Sequence, residues 1–301
     1  MQQTKSKLVI GISSRALFNL NASHEIFKHE GIQAYKDHQI DNENKVLEPG
    51  EAFNLVKKIL NLNSFYEDGN RIEVILLSRN TADTGLRIFN SIEEYGLNIS
   101  RAVFSGGESP YKYVKSFDVS LFLSGSKDDV LQAIKNDVPA ARIVSSVATE
   151  IDKEDKTLRI AFDGDSVIFS DEAERVFSEK GLKAFLDNEK STKKVLQAGP
   201  FKPFLVELNK LQQELDLDLC PIRTALVTAR SAPSHKRVIK TLRDWGVRID
   251  ESLFLGGMKK VDFLSDFNAD IFFDDQIKNI KHASGKVASG HVLYGVKNKS
   301  K

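Results

Sequence analysis

The sequence predicts an α/β fold, a parallel sheet flanked by helices, and predicts it twice within one chain. Three observations carry this expectation. Short apolar runs rich in β-branched and aromatic residues alternate with stretches of helical periodicity, the pattern of strands joined by helical crossovers. Several of these runs end in polar or acidic residues where the chain must leave a sheet, which is where open α/β sheets place their ligands. The pattern then returns about 150 positions later in the same register.

The repeat is explicit in the residues. Ile75-Leu76-Leu77-Ser78 is followed by the helical stripe Ile88, Phe89, Ile92, Tyr95, then by Gly96, Ile99, Phe104, Gly106 and Gly107. Ala225-Leu226-Val227-Thr228 is followed by Val238, Ile239, Leu242, Trp245, then by Gly246, Ile249, Phe254, Gly256 and Gly257. Arg87 lies over Arg237, Val119 to Ser124 over Ala269 to Asp274, and Gly31 to Tyr35 over Gly181 to Phe185. Shared apolar periodicity is common to any two strand-helix units, but shared glycines are not, so an internal duplication is expected.

In the second half the expected strands are Leu158 to Phe162, Thr224 to Val227, Leu253 to Leu255 and Ile271 to Phe273. A helix is expected from Pro233 to Trp245, with proline near its start and Gly246 just past its end. Between Asp165 and Thr228 lies a mostly charged, helix-favouring insertion with Phe204, Leu205, Leu208, Leu211 and Leu215 at helical spacing. Because it follows the Asp163-Gly164-Asp165 loop directly, it is expected to form a cap over that loop, spanning about 171–220. The expected division is 1–150 and 151–301.

Composition bounds the partners. With 301 residues, 41% hydrophobic and 28% charged, the chain is long enough for two domains of a soluble globular protein. Lys plus Arg number 43 against 42 Asp plus Glu, a formal charge of +1, so no nucleic acid polymer is expected as partner. The single cysteine, Cys220, excludes an intramolecular disulfide and a multi-cysteine metal site. The first apolar run stops at Ile12, too short for a secretory signal, and no run approaches the ~18 apolar residues of a membrane span. The expectation is a cytoplasmic protein with no membrane partner; a homo-oligomer is compatible with this composition. The histidines lack ligand spacing for zinc, Ser284-Gly285-Lys286 lacks the preceding glycine of a phosphate-binding loop, and the basic tail from Lys297 to Lys301 is expected to be solvated.

The candidate chemistry sits at the strand ends of the second half: Asp163 and Asp165, then Thr228, then Lys260, then Asp274 and Asp275. Gly164 is expected to let the backbone turn so that both flanking carboxylates enter one crevice. Such close carboxylates resist ionising unless a cation or proton offsets them, and a divalent metal is the ordinary solution. Taken singly, each member has a plainer reading: Asp-x-Asp as a solvated turn, Asp274-Asp275 as a helix cap, Thr228 as a strand end, Lys260 as one lysine among many. Their joint occurrence on consecutive strands makes the set specific. In the first half Ser13 lies over Asp163, Arg15 over Asp165, Pro110 over Lys260, and Ser124 and Gly125 over Asp274 and Asp275, so one site per chain is expected.

Asp163-x-Asp165-x-Val167, Thr228, Lys260 and Asp274-Asp275 resemble the four motifs of the haloacid dehalogenase superfamily of aspartate-nucleophile phosphatases. The longer segments Phe162 to Glu172, Cys220 to Thr224, Leu226 to Ala232, Ile271 to Gln276 and His291 to Gly295 resemble the cytosolic 5′-nucleotidase I family, whose members favour AMP. Ser13 to Phe18 and Ser105 to Pro110 are similar to that family as well. Val261-Asp262 departs from it, standing where a glycine and a proline are expected.

The resemblance implies a haloacid dehalogenase-like fold with a helical cap, the second half catalytic and the first without catalytic carboxylates. It implies a Mg²⁺-dependent hydrolase of nucleoside monophosphates of the AMP or IMP class. Asp163 would attack phosphorus to form an aspartyl-phosphate, and Asp165 would serve as acid and then base. Thr228, Ala229, Arg230 and Lys260 would bind substrate, with Thr228 and Lys260 holding phosphate oxygens. Asp163, the Asp165 carbonyl and the Asp274/Asp275 pair would hold the metal. Arg230 could equally pair with a nearby carboxylate. The alternatives are a phosphatase of the same fold acting on another small ester, and a nucleotide-binding regulatory module.

Overall fold

The computed structural model describes residues 7–144, 155–192 and 194–298. The chain separates into two compact units, Met1–Val138 and Pro139–Lys301. The expected division at 150/151 falls in 145–154, outside the described residues. The strand Ala140–Val144 that precedes this stretch pairs with a strand near the C-terminus and belongs to the second unit. Residues 299–301 of the basic tail are likewise outside the described residues.

The first unit runs β1 (Leu8–Ile12), α1 (Ser14–Leu17), α2 (Asn21–Asp41), α3 (Phe53–Asn61), β2 (Ile72–Ser78), α4 (Ala82–Glu94), β3 (Arg101–Phe104), β4 (Leu121–Ser124) and α5 (Lys127–Lys135). Its strands are parallel in the order β3-β2-β1-β4. The second unit runs β5 (Ala140–Val144), β6 (Leu158–Phe162), α6 (Glu172–Ser191), α7 (Lys202–Gln213), β7 (Ile222–Thr228), α8 (His235–Asp244), β8 (Glu251–Phe254), α9 (Val261–Asp266), β9 (Ile271–Asp274), α10 (Ile277–Ala283) and β10 (Ala288–His291). Its order is β5-β10-β9-β6-β7-β8, parallel except for β5 against β10. Among the described residues no helix is long and apolar enough to cross a membrane.

The expected repeat is present in the hydrogen-bond register. Leu8 faces Ile72 and Leu158 faces Ile222; Ile10 faces Leu121 and Ile160 faces Ile271; Ile75 faces Arg101 and Ala225 faces Glu251, each pair recurring at an offset of 150 residues. Both long arm helices break at the matching glycine, Gly31 with φ 88° and Gly181 with φ 77°. A side chain at either position would meet the left-handed steric barrier, which explains why these two glycines agree.

Alternation along β6 and β9 sends residues to the two faces of the sheet. On one face Phe162 and Phe273 stack with centroids 5.7 Å apart, and Phe201 and Phe204 cover them. On the other, Ala161, Ala225, Val227 and Phe272 pack against Leu264, Ile280 and Ala283 around α9 and α10. The expected cap 171–220 therefore contains two different things. Its second helix, α7, is a layer of the core, with Phe204, Leu205, Leu208 and Leu211 buried. Apolar spacing alone does not distinguish a covering helix from a layer helix.

Two strands were not anticipated. The run Ala288–His291 is short and contains Gly290, whose hydrogen atoms leave room for the ring of Phe273; a Cβ there would fall 2.6 Å from it. Helix α8 begins at His235 instead of Pro233, because both the N–H and the Oγ of Ser234 bond back to the Ser231 carbonyl in a turn. If α7 is a core layer, Phe204→Ala will lower unfolding free energy by about 3–5 kcal/mol in a denaturant titration. A helix that merely covers the loop would lose under about 1 kcal/mol.

Candidate active site

Parallel strands bring their carboxyl ends to one edge, and β6, β9 and β7 deliver Asp163, Asp274 and Thr228 there as neighbours. The Asp163 N–H donates to the Phe273 carbonyl at 2.8 Å, extending the β6–β9 ladder by one bond and fixing Asp163 beside Asp274. Lys260, at the start of α9, inserts its ammonium between them. Its Nζ lies 2.8 Å from Asp163 Oδ1 and 2.7 Å from Asp274 Oδ2. Lys260 is buried and Lys259 exposed, so Val261-Asp262 after it does not displace the lysine from the site.

Carboxylate oxygens of Asp163, Asp274 and Asp275 all lie within 4.8 Å of one another. Asp274 is fully engaged: Oδ1 accepts from the Gln276 N–H at 2.7 Å, and Oδ2 from Asn279 at 2.9 Å and from Lys260. Asp275 differs. Both of its carboxylate oxygens are buried and have no hydrogen-bond partner among the described residues. Its backbone is held by His291 Nε2 and Asn298 Nδ2, which reach its carbonyl oxygen at 2.9 and 2.8 Å.

The electrostatics follow from three carboxylates facing one ammonium. Burial, aided by Asp274 and Asp165 and opposed by Lys260, raises Asp163 well above the ordinary aspartate range. Burial and then the charges of Asp163 and Asp274 raise Asp275 as well. Burial disfavours the Lys260 ammonium, but the attraction of Asp163 and Asp274 outweighs it and holds that group above its ordinary value.

Asp165 stands apart from this acidic group. Arg230 grips its carboxylate with two bonds of 2.8 and 2.7 Å, and the Arg230 N–H donates to Thr228 Oγ1 at 3.2 Å. The Arg230 guanidinium also lies 2.6 Å from Glu189, and Glu189 in turn 2.8 Å from Arg237. Burial works against the Arg230 charge, yet Asp165 and Glu189 raise it above the ordinary arginine range. Ala229, between Thr228 and Arg230, is exposed.

The loop itself corrects one expectation. The left-handed residue that turns the chain is Ser166, with φ 65°, whereas Gly164 has no such conformation. Gly164 is small because a Cβ there would approach Thr228 Oγ1 to 3.3 Å. Its N–H donates to Asp163 Oδ1 at 2.7 Å. Ser166 Oγ donates to Glu174 at 2.9 Å, a half-buried carboxylate whose pKa is raised chiefly by burial.

Asp163, Lys260, Asp274 and Asp275 thus converge, with Thr228 tied through Arg230 to Asp165. Glu189, Glu172 and Asn279 were not anticipated. The signal for Asn279 is its place one turn into α10 after Asp274; Glu189 sat inside a charged stretch that resembles any solvated helix.

The first unit keeps the scaffold and lacks the acids. The Ser13 N–H donates to Leu123 as Asp163 does to Phe273, and Ser124 Oγ accepts from Ser126 as Asp274 accepts from Gln276. Gly125 stands where Asp275 would be, its N–H reaching Ser13 Oγ at 3.3 Å.

Comparison with known proteins shows the family. Residues 1–299 match the family described as 5′-nucleotidase. The chain is 39% identical over 298 residues to cytosolic 5′-nucleotidase 1B of Homo sapiens, covering 95% of this chain and 49% of that protein. It therefore spans about half the length of the curated relative it matches. A solved universal stress protein structure from Pseudomonas aeruginosa aligns over 96% of this chain and 93% of its own, at a TM-score of 0.34 and 8% identity, too low to bear on the fold family. By its match over nearly the whole length, the chain belongs to the 5′-nucleotidase family.

Proposed function

We propose that this chain hydrolyses nucleoside 5′-monophosphates of the AMP or IMP class to nucleoside and phosphate, on a haloacid dehalogenase-like unit formed by the second half. Membership of the 5′-nucleotidase family supports the reaction class. The observation that carries the mechanism is the buried, unpartnered carboxylate of Asp275 beside Asp163.

A bare carboxylate in a dry site is strongly unfavourable, and the donor set is all oxygen, which suits a hard divalent cation such as Mg²⁺. Asp163, Asp275 and the Asp165 carbonyl would hold it; Asp274, saturated by Lys260, Asn279 and Gln276, would support it from behind. When bound, the cation supplies positive charge that offsets the carboxylates and the incoming phosphate together.

The residues of the chain then divide the work. Asp163 offers the oxygen that bonds to phosphorus while the bond from phosphorus to the 5′ oxygen breaks. Asp165 is placed two residues on to give that leaving oxygen a proton, and afterwards to take one from the water that cleaves the aspartyl-phosphate. Lys260 and Thr228 face the phosphate oxygens on which charge concentrates, and Lys260 also fixes the Asp163 carboxylate. The short Gly164 keeps the loop close enough to Thr228 for one phosphate to touch both. Burial of Asp163 removes competing water from the nucleophile.

Replacing Asp163 with asparagine removes the nucleophile at constant shape, and phosphate release from AMP or IMP with Mg²⁺ will fall at least ~10³-fold. Residual turnover within about tenfold of the unchanged protein would defeat the covalent route.

The raised pKa values of Asp163 and Asp275 make a stability prediction. Folded-state values above the unfolded ones mean that the folded chain holds more protons, so without metal its stability falls as pH rises from the carboxylate range toward and past neutrality. In thermal unfolding with a chelator, the midpoint will be lower at about pH 8 than at about pH 5.5, and Mg²⁺ will raise it more at the higher pH. Asp275→Asn will be more stable than the unchanged chain in chelator at about pH 8 and gain little from Mg²⁺. A midpoint indifferent to Mg²⁺ at both values would count against the metal site.

A further inference from the structure

Beyond the reacting groups, the second unit contains a buried chain of alternating charges: Asp165, Arg230, Glu189, Arg237 and Glu172, with contacts of 2.7, 2.6, 2.8 and 2.7 Å. Glu189 is its centre, with a fully buried side chain on α6. A charge in such a place is costly to desolvate, and only its partners offset that cost. Architecture does not require that charge, and the first unit demonstrates why.

There Arg87 occupies the place of Arg237 and Gln39 that of Glu189. Arg87 Nε donates to the Lys45 carbonyl and Nη1 to Gln39 at 3.1 Å; Arg237 Nε donates to the Lys194 carbonyl and Nη1 to Glu189 at 2.8 Å. Ser91 and Thr241 repeat each other too, each hydroxyl bonding back to the arginine carbonyl and accepting a backbone N–H from the segment after the arm. A neutral amide therefore anchors the arm helix as well as a carboxylate does.

The difference lies on the other side of position 189. In the first unit Gln39, Tyr35 and Asn80 form a neutral hydrogen-bonded run from the arm to the β2 loop, with links of 3.2 and 2.9 Å. The matching residues of the second unit are Glu189, Phe185 and Arg230. The tyrosine hydroxyl is gone, the Phe185 ring lies 5.5 Å from the Arg230 guanidinium, and the arginine reaches Glu189 directly. The arm-to-loop link is thus built in both units, and is charged only where Asp165 exists for Arg230 to grip; in the first unit that position is Arg15.

We propose that Glu189 is a positioning residue for the reaction: it anchors Arg230 from the arm helix, so that Arg230 holds the Asp165 carboxylate in the orientation from which it serves the leaving oxygen. Without the negative charge behind it, the guanidinium is free to turn to the phosphate dianion, and Asp165 loses its clamp. The inference rests on the proposed roles of Asp163 and Asp165.

Its test is Glu189→Gln, which copies Gln39 and preserves the hydrogen bond to Arg237. With AMP and Mg²⁺, kcat will fall about tenfold or more while KM stays within about threefold, and the thermal midpoint will hold within a few degrees. With p-nitrophenyl phosphate, whose phenolate leaves without a proton, the loss in kcat/KM, which reports only the steps up to that departure, will be under about threefold. The double change Phe185→Tyr, Glu189→Gln, which installs the first unit's Tyr35–Gln39 pair and leaves Arg230 in place, is read by the same criteria if the single variant does not fold. Unchanged kcat for AMP, or equal losses of kcat/KM on both esters, overturns the assignment. Either result alongside an inactive Asp163→Asn defeats the role of Glu189 alone; an active Asp163→Asn defeats the reading beneath it.

Discussion

Three carboxylates packed within 4.8 Å around a single ammonium is the constraint on which the second unit depends. Parallel strands force it, because consecutive acidic strand ends arrive at one edge whether or not their charges agree. Lys260 offsets one of the three charges from its place between Asp163 and Asp274, and the backbone N–H groups of Gly164 and Gln276 bond to those two carboxylates. Asp275 is left over. A folded chain tolerates such a residue only with a proton or a cation in place.

Setting the two units side by side separates what the sheet needs from what the proposed reaction needs. Both units share strand order, ladder register, the glycine break in the arm helix and the arginine that ties the arm to the segment after it. Only the second has Asp163, Asp165, Lys260, Asp274, Asp275, Arg230 and Glu189. Where the first unit has Ser13 and Ser124, the same backbone bonds form without carboxylates. A stable parallel sheet therefore does not require the acidic edge; the acids are carried against stability, and the lysine, the arginines and Asn279 limit the damage.

Much of this was legible in the residues. Strands such as Leu158–Phe162 and Ile271–Asp274 are largely apolar and largely buried, which periodicity detects readily, and the acidic residues at their ends are conspicuous. Matching glycines disclosed the repeat because a left-handed backbone admits few alternatives. Illegible were features set by partners distant in sequence. Glu189 reads as one charge of a polar helix until the fold brings Arg230 and Arg237 to either side of it. Helix α7 has the same apolar spacing whether it covers a loop or fills a layer, and only Phe162 and Phe273 beneath it decide. Ser166, not Gly164, has the left-handed conformation at the turn, and Gly164 serves by its lack of bulk beside Thr228.

The central claim is that Asp275 is unpartnered because a cation belongs between it and Asp163. Anomalous scattering from crystals grown with Mn²⁺ tests this most directly, since it locates the ion without reference to activity. The account predicts one strong peak per chain within coordinating distance of Asp163 and Asp275, and none at Ser13 and Gly125 in the first unit. A well-ordered site with no peak between those aspartates, or a peak in the first unit instead, would contradict it.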